Sequence, residues 1–283
     1  MKVLNVKFGV SLQGRNFTPN FQEMKQIALK ADELGFHSIW TSDHLMHPFP
    51  VSGKPEFYCH EAWTTLSALG ALTKRVKLGF SVLVPAFRRP SVIAKMATTL
   101  DILSNGRLIL CIGAGWFKKE YDAYDIPWEE HDFRIERERE AALVIKALFT
   151  QTSASFDGKY YRLREAVMEP KPVQKPHPPI WIGGDLFKTV NLAAKLADGW
   201  FMRPEDPRKL KEKIAVMRRA VGARRFEYAT SLKELTLENP SGLLSKIHDY
   251  IGAGINLLSL TFHNANDLEL FAEKVLPTFG TTE

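Results

Sequence analysis

The stretch from Val76 to Trp116 constrains the fold more than any other part of this chain. Val76 to Val84 is β-branched and apolar, and Pro85 stops it. From Val92 the apolar positions change to helical spacing (Val92, Met96, Leu100, Leu103), and Ser104-Asn105-Gly106 ends that run. Arg107 to Ile112 is again a nearly continuous apolar strand, followed by Gly113-Ala114-Gly115. Strands this apolar suit a parallel sheet with helical crossovers, because such a sheet is covered on both faces. Both strands run into loops of unusual composition, which places a site at the strand C-termini.

The same alternation extends along the chain. Strands are expected at Lys7 to Leu12, His37 to Thr41, Pro178 to Gly184, Gly199 to Met202, Phe226 to Thr230 and Ile255 to Thr261. Helices are expected at Phe21 to Leu34, closed by Gly35, and at Ala62 to Thr73, His131 to Phe149, Leu186 to Leu196 and Asp267 to Val275. Phe156 to Leu163 reads as an inserted hairpin with an Asp157-Gly158 turn. About eight β and eight α units in 283 residues suit a (β/α)8 TIM barrel forming a single domain over 1–283. The rival, an open doubly wound sheet, needs a dinucleotide fingerprint. Gly113-Ala-Gly115 is the only candidate for one, and it lacks the third glycine and follows the fourth strand instead of the first.

No apolar run approaches membrane-spanning length, and Met1 to Lys7 leads straight into a strand, which argues against an anchor or a signal peptide. Two cysteines, Cys59 and Cys111, the latter inside an apolar strand, fit reduced thiols in a cytoplasmic protein. The net charge of +6 raises the question of nucleic acid. Its source is Arg208 to Lys211, Lys213, Arg218-Arg219 and Arg224-Arg225, without interleaved aromatics, which reads as a solvated helix face.

Three strand ends carry chemistry. Ser42-Asp43-His44 puts a carboxylate beside an imidazole, the pairing that acid–base work near neutral pH uses; the plainer reading is loop capping. A metal site built from Asp43, His44, His47 and His60 needs a folded-back loop and lacks a metalloprotease spacing, so no metal is expected. Gly113-Ala114-Gly115 permits close approach to a flat ring or phosphate, with Trp116 and Phe117 as pocket walls or simply rim cover. Gly183-Gly184 precedes a helix whose amides suit a phosphate.

Taken together, these segments resemble a known family. Ser42-Asp-His44, Leu78-Gly-Phe-Ser-Val-Leu-Val-Pro85 with Arg89-Pro90 and Ala94-Lys95, and Leu100-Asp-x-Leu-Ser-x-Gly-Arg-Leu108 carry the likeness. So do Gly113-x-Gly-Trp116 with Glu120, Pro178-Pro-Ile-Trp-Ile-Gly-Gly184 and Ala197-Asp-Gly-Trp200. They are similar to the bacterial luciferase-like superfamily, most of all its coenzyme F420-dependent oxidoreductases. The likeness runs from residue 6 to about 202. It implies a barrel with F420, or alternatively FMN, at the strand C-termini, and a non-prolyl cis peptide at Ser81–Val82. It implies cofactor contacts at Asp43, Ser81, Val82, Val84, Ala114, Gly115 and Lys119, with Gly183 and Gly184 on the phosphate side. His44 matches the proton donor of the sugar-phosphate dehydrogenases. Trp116 stands where those enzymes carry a catalytic glutamate, which points away from glucose 6-phosphate and toward a bulkier or more apolar substrate.

The expectation is therefore an F420-dependent oxidoreductase that moves a hydride to or from an organic substrate, with His44 as acid–base partner. It is expected to be a cytoplasmic homodimer with neither nucleic-acid nor membrane partners. An FMN-dependent monooxygenase on the same scaffold is the alternative, and a non-catalytic flavin-binding protein is a second one.

Overall fold

The computed structural model describes residues 6–14, 17–232 and 237–279. In chain order the elements are β1 (Lys7–Ser11), α1 (Phe21–Glu33), β2 (Ser38–Thr41), α2 (Ala62–Leu72), β3 (Lys77–Phe80), α3 (Pro90–Leu103), β4 (Leu108–Ile112) and α4 (Lys118–Ala123). They continue with α5 (His131–Thr150), β5 (Ala154–Asp157), β6 (Arg162–Ala166), β7 (Ile180–Gly183), α6 (Phe187–Leu196) and β8 (Gly199–Met202). The chain then forms α7 (Pro207–Val221), β9 (Glu227–Ser231), α8 (Pro240–Ala253), β10 (Leu257–Thr261), α9 (Ala265–Lys274) and α10 (Leu276–Phe279).

Eight strands close into a barrel in the order β1-β10-β9-β8-β7-β4-β3-β2, every pair parallel. This is the expected (β/α)8 TIM barrel. Two apolar layers hold it. Trp40, Ile109, Cys111, Trp181, Phe201, Ala229 and Leu257 fill the interior, and a larger shell packs the strands against the helices. Interior volume is matched by pairing large with small. A Cβ on Gly79 would lie 2.3 Å from the Trp40 ring, so the glycine makes room for the tryptophan beside it.

Differences from the sequence reading have local causes. β3 stops at Phe80 instead of Val84, because the chain then leaves the ladder through the cis peptide Ser81–Val82 and a 3-10 turn at Pro85–Phe87. The inserted hairpin exists as β5–β6, but Asp157-Gly158 is not a two-residue turn. A four-residue loop, closed by the Gly158 amide on the Tyr161 carbonyl, is held by Glu140, whose carboxylate accepts the Lys159, Tyr160 and Tyr161 amides. On α3 the buried face includes Ile93, Ala94, Ala97, Leu100 and Asp101, whereas Val92 and Leu103, two of the apolar positions that marked the helix, are exposed. The basic cluster of α7 lies outside, with Leu210, Ile214, Met217 and Val221 buried. Among the described residues no helix is long and apolar enough to cross a membrane.

Candidate active site

The barrel mouth is built around the break in β3. Residues Ser81 to Val84 are pinned from the two neighbouring strands, β2 and β4: the Ser81 amide donates to the Thr41 carbonyl, the Asp43 amide to the Val82 carbonyl, and the Leu83 amide to the Cys111 carbonyl. Val82 projects between β4 and β7. A Cβ on Gly113 would lie 2.4 Å from its side chain, and one on Gly183 would lie 2.2 Å away. Both glycines therefore leave space for Val82, a role that neither the close-approach nor the phosphate reading anticipated. The result is a small apolar wall at the centre of the mouth, partly buried against the interior layer.

Asp43 follows β2 and is 2% exposed. Its carboxylate takes a two-pronged bond from Arg88 (Nη1 2.7 Å, Nη2 3.0 Å) and a third from the Val84 amide at 2.9 Å. Burial pushes the Asp43 carboxyl up while Arg88 pulls against it. A carboxylate with three charge-assisted or amide donors keeps its charge. Arg88 Nη2 also reaches Glu61 at 2.5 Å, and Glu61 caps α2 through the Trp63 and Thr64 amides. Asp43 thus locks the β3 loop to α2.

His44 is held by a buried carboxylate. Its Nδ1 lies 3.1 and 3.3 Å from the two oxygens of Glu120, which is 1% exposed and also accepts the Leu45 and Met46 amides. A carboxylate at Nδ1 makes that nitrogen the donor and leaves Nε2 free to take or give a proton. Nε2 has no partner among the described residues. Around the imidazole stand Trp116 and Phe117, with ring centroids 6.1 and 6.4 Å away, and Phe49 flanks Trp116 at 6.1 Å. Trp116 is 58% exposed, an apolar surface facing the mouth.

The remaining residues singled out in the sequence fall around this centre. Gly115 adopts φ +76°, and a Cβ there would collide with the Tyr121 hydroxyl, which donates to the Ala114 carbonyl. Lys119 extends outward, its Nζ 4.2 Å above the Phe57 ring. Gly184 has its amide committed to the Phe201 carbonyl, so that N–H is not free for a phosphate. The amides that begin α6 have no side-chain cap. His47 donates to the Phe49 carbonyl at 2.7 Å and His60 pairs with Tyr58 at 3.0 Å, and among the described residues no cluster of three or more His, Cys, Asp or Glu is placed to hold a metal ion.

The family model for luciferase-like monooxygenases matches residues 6–275. The chain belongs to that family. Within it, the chain is 34% identical over 211 residues to an F420-dependent glucose-6-phosphate dehydrogenase of Microbacterium testaceum, covering 74% of this chain and 60% of the relative. It is 33% identical over 164 residues to an FMNH2-dependent dimethylsulfone monooxygenase of Pseudomonas putida, covering 58% and 45%. The chain thus spans about half to three-fifths of the length of these relatives. An F420-dependent secondary alcohol dehydrogenase superposes with a TM-score of 0.82 at 20% identity, covering 98% of this chain and 99% of that one.

Three members of the luciferase-like site escaped the sequence reading as functional residues. Arg88 and Glu61 form the ion network under Asp43. Gln13, just beyond β1, accepts from Thr41 Oγ1, the Ser42 amide and Ser42 Oγ, while its buried Nε2 has no partner among the described residues. The one available signal was position: each follows a strand or precedes a helix at the mouth. Glu120 was visible in the motif, but its bond to His44 spans 76 residues and is set by the turn into α4.

Proposed function

We propose that this protein is an F420-dependent oxidoreductase that moves a hydride between the deazaflavin and an organic substrate, with His44 handling the proton. The observation that carries the reading is the Glu120–His44 pair: an imidazole with a fixed tautomer, beside an apolar wall at the mouth of a barrel. The Val82 wall, flanked by glycines, fits a flat ring. Ser81, Val84, Ala114 and Gly115 line the same turns, and the uncapped start of α6 beyond Gly183-Gly184 suits a phosphate. Asp43 serves by holding the wall in place, and Lys119, over the Phe57 ring, would offer a positive charge to the bound cofactor.

When bound, the deazaflavin supplies or accepts the hydride. Nε2 of His44 gives or takes the proton on the substrate oxygen, and Glu120 stabilises the imidazolium that forms. Trp116 and Phe117 exclude water and favour an apolar substrate over a sugar phosphate. The kinship to F420-dependent dehydrogenases supports this reading. The family description and the FMNH2-dependent relative support the alternative, an FMN-dependent monooxygenase. The held dyad speaks against a protein that merely stores flavin. We also take it to be cytoplasmic and a homodimer, the latter supported by the exposed apolar side chains of α3.

Fluorescence titration of the purified protein with F420 and with FMN, at several salt concentrations, tests the assignment. F420 is expected to bind the more tightly; tighter binding of FMN moves the protein to the monooxygenase branch.

A further inference from the structure

Glu138 sits on α5, 1% exposed, and neither carboxyl oxygen has a hydrogen-bond partner among the described residues. Arg134 Nε and Arg137 Nε, on the same helix, are likewise buried with no hydrogen-bond partner among the described residues. Arg137 Nε lies 2.9 Å from Glu129 Oε2 but out of line to donate to it. The Arg134 guanidinium donates through Nη1 to the Glu129 carbonyl and stacks 3.8 Å from the Trp128 ring. All three side chains line one small cavity, whose other walls include Pro85–Ala86 and Gly113–Ala114. Those are the turns that flank the Val82 wall.

Buried polar atoms are almost always satisfied, by protein or by ordered water. The cavity measures about 10 Å³, close to the minimum that one water needs. An anion is disfavoured by Glu138 once it ionises, a cation by the two guanidiniums, and an apolar guest by all three. Water both accepts from an arginine and exchanges hydrogen bonds with a carboxyl.

We propose that this cavity holds one ordered water bridging Glu138 to Arg134 and Arg137. Through it Glu138 is a positioning residue for the Gly113–Ala114 and Pro85–Ala86 turns that frame the cofactor wall. The positioning role rests on the F420 reading above; the water does not.

Burial pushes Glu138 up to about 8. Below that pH it is a neutral acid; above it, an anion is forced behind the wall. The other titratable groups facing this region are Tyr121 from α4, Glu129 ahead of α5, Arg134 and Arg137 from α5, and Cys111 from β4; Pro85 and Ala86 bring none. Burial holds the Tyr121 phenol and the Cys111 thiol up, so both stay neutral as Glu138 titrates.

Two measurements test this. A crystal structure of the cofactor-free protein is expected to show one water within hydrogen-bond reach of Glu138 and of at least one arginine Nε; a dry cavity overturns the water. F420 affinity is then measured near pH 6.5 and near pH 9 for the wild type, Glu138→Gln and Glu138→Leu. The wild type is expected to weaken several-fold at the higher pH relative to Glu138→Gln, which lacks the titration. Glu138→Leu, which expels the water, is expected to bind about fivefold more weakly at both. Should Glu138→Leu fail to fold, Glu138→Gln and the crystal structure decide. Wild-type pH dependence retained in Glu138→Gln overturns the positioning role. A wild type that binds no F420 at either pH sinks the cofactor reading and, with it, that role, while the water is judged by the density alone.

Discussion

His44 and Asp43 are chain neighbours with opposite duties. The Asp43 carboxylate is consumed by Arg88 and the Val84 amide, whereas His44 uses only Nδ1 among the described residues, and the proposed function gives Nε2 the proton. Their substitutions should therefore fail differently. His44→Asn retains a hydrogen-bonding group without titrating, and turnover on the true substrate is expected to fall roughly a hundredfold or more while F420 affinity holds. Glu120→Gln keeps the volume but removes the charge facing the imidazolium, so a smaller loss of turnover, again with intact binding, is expected. Wild-type turnover in His44→Asn would remove the histidine from the mechanism. Asp43→Asn instead leaves Arg88 short of a buried partner, a change that costs on the order of 3–5 kcal/mol. Thermal unfolding should drop by about 10 °C, with cofactor affinity and turnover falling together because the β3 loop loosens.

At the scale of elements, α3 is apolar on two sides. Its inner face packs on the barrel, while Val92 (50% exposed) and Leu103 (65% exposed) form an outer row with the partly exposed Met96. The proposed homodimer would bury this row against the same row of a second copy. Val92→Glu combined with Leu103→Lys should turn a dimer into a monomer by light scattering with little change in thermal stability; an unchanged mass would exclude α3 from the interface. The same helix shows where sequence reading stops. Periodicity at Val92, Met96 and Leu103 established a helix, but an apolar stripe does not say which of two apolar faces turns inward. The barrel strands were legible because continuous apolar runs bounded by glycine or proline have few other uses. The strand ends were legible as motifs, and the cis peptide at Ser81–Val82 came from family likeness alone. Arg88 under Asp43, Glu120 on His44 and Val82 between Gly113 and Gly183 were not legible, because each contact joins segments that only the closed barrel brings together.

At the scale of the whole molecule, a half-buried histidine and a buried glutamate set opposing slopes on stability. His37 immediately precedes β2, at the end of the barrel away from the site. Ser38 Oγ accepts from Trp40 Nε1 and lies 3.1 Å from His37 Nδ1, so its own proton is directed to that nitrogen, which fits a neutral ring. Burial, then the charges of Lys7 and Lys77, lower His37 to about 3 from 6.5. Below pH 6.5 the unfolded chain takes up a proton that the folded one refuses, so this histidine's contribution is lost as pH falls toward 3. By ~pH 5 the loss is on the order of 2 kcal/mol. Glu138 acts in reverse. Its folded value of about 8 lies above the ordinary 4.5, so the folded state holds a proton the unfolded chain has released. Stability is lost as pH rises through that interval and levels off above it. Between 4.5 and 6.5 the two slopes oppose each other, and the wild type should show a shallow unfolding profile there. Thermal melts across pH separate them. His37→Asn should leave a profile that falls with rising pH, Glu138→Gln one that rises, and the double variant a flatter one than either. Because His37 and Glu138 sit at different ends of the barrel, their effects should add. A Glu138→Gln profile indistinguishable from wild type would mean that the carboxyl is solvated in solution, and the buried acid behind the glycine turn would no longer explain why the protein is stable where it is.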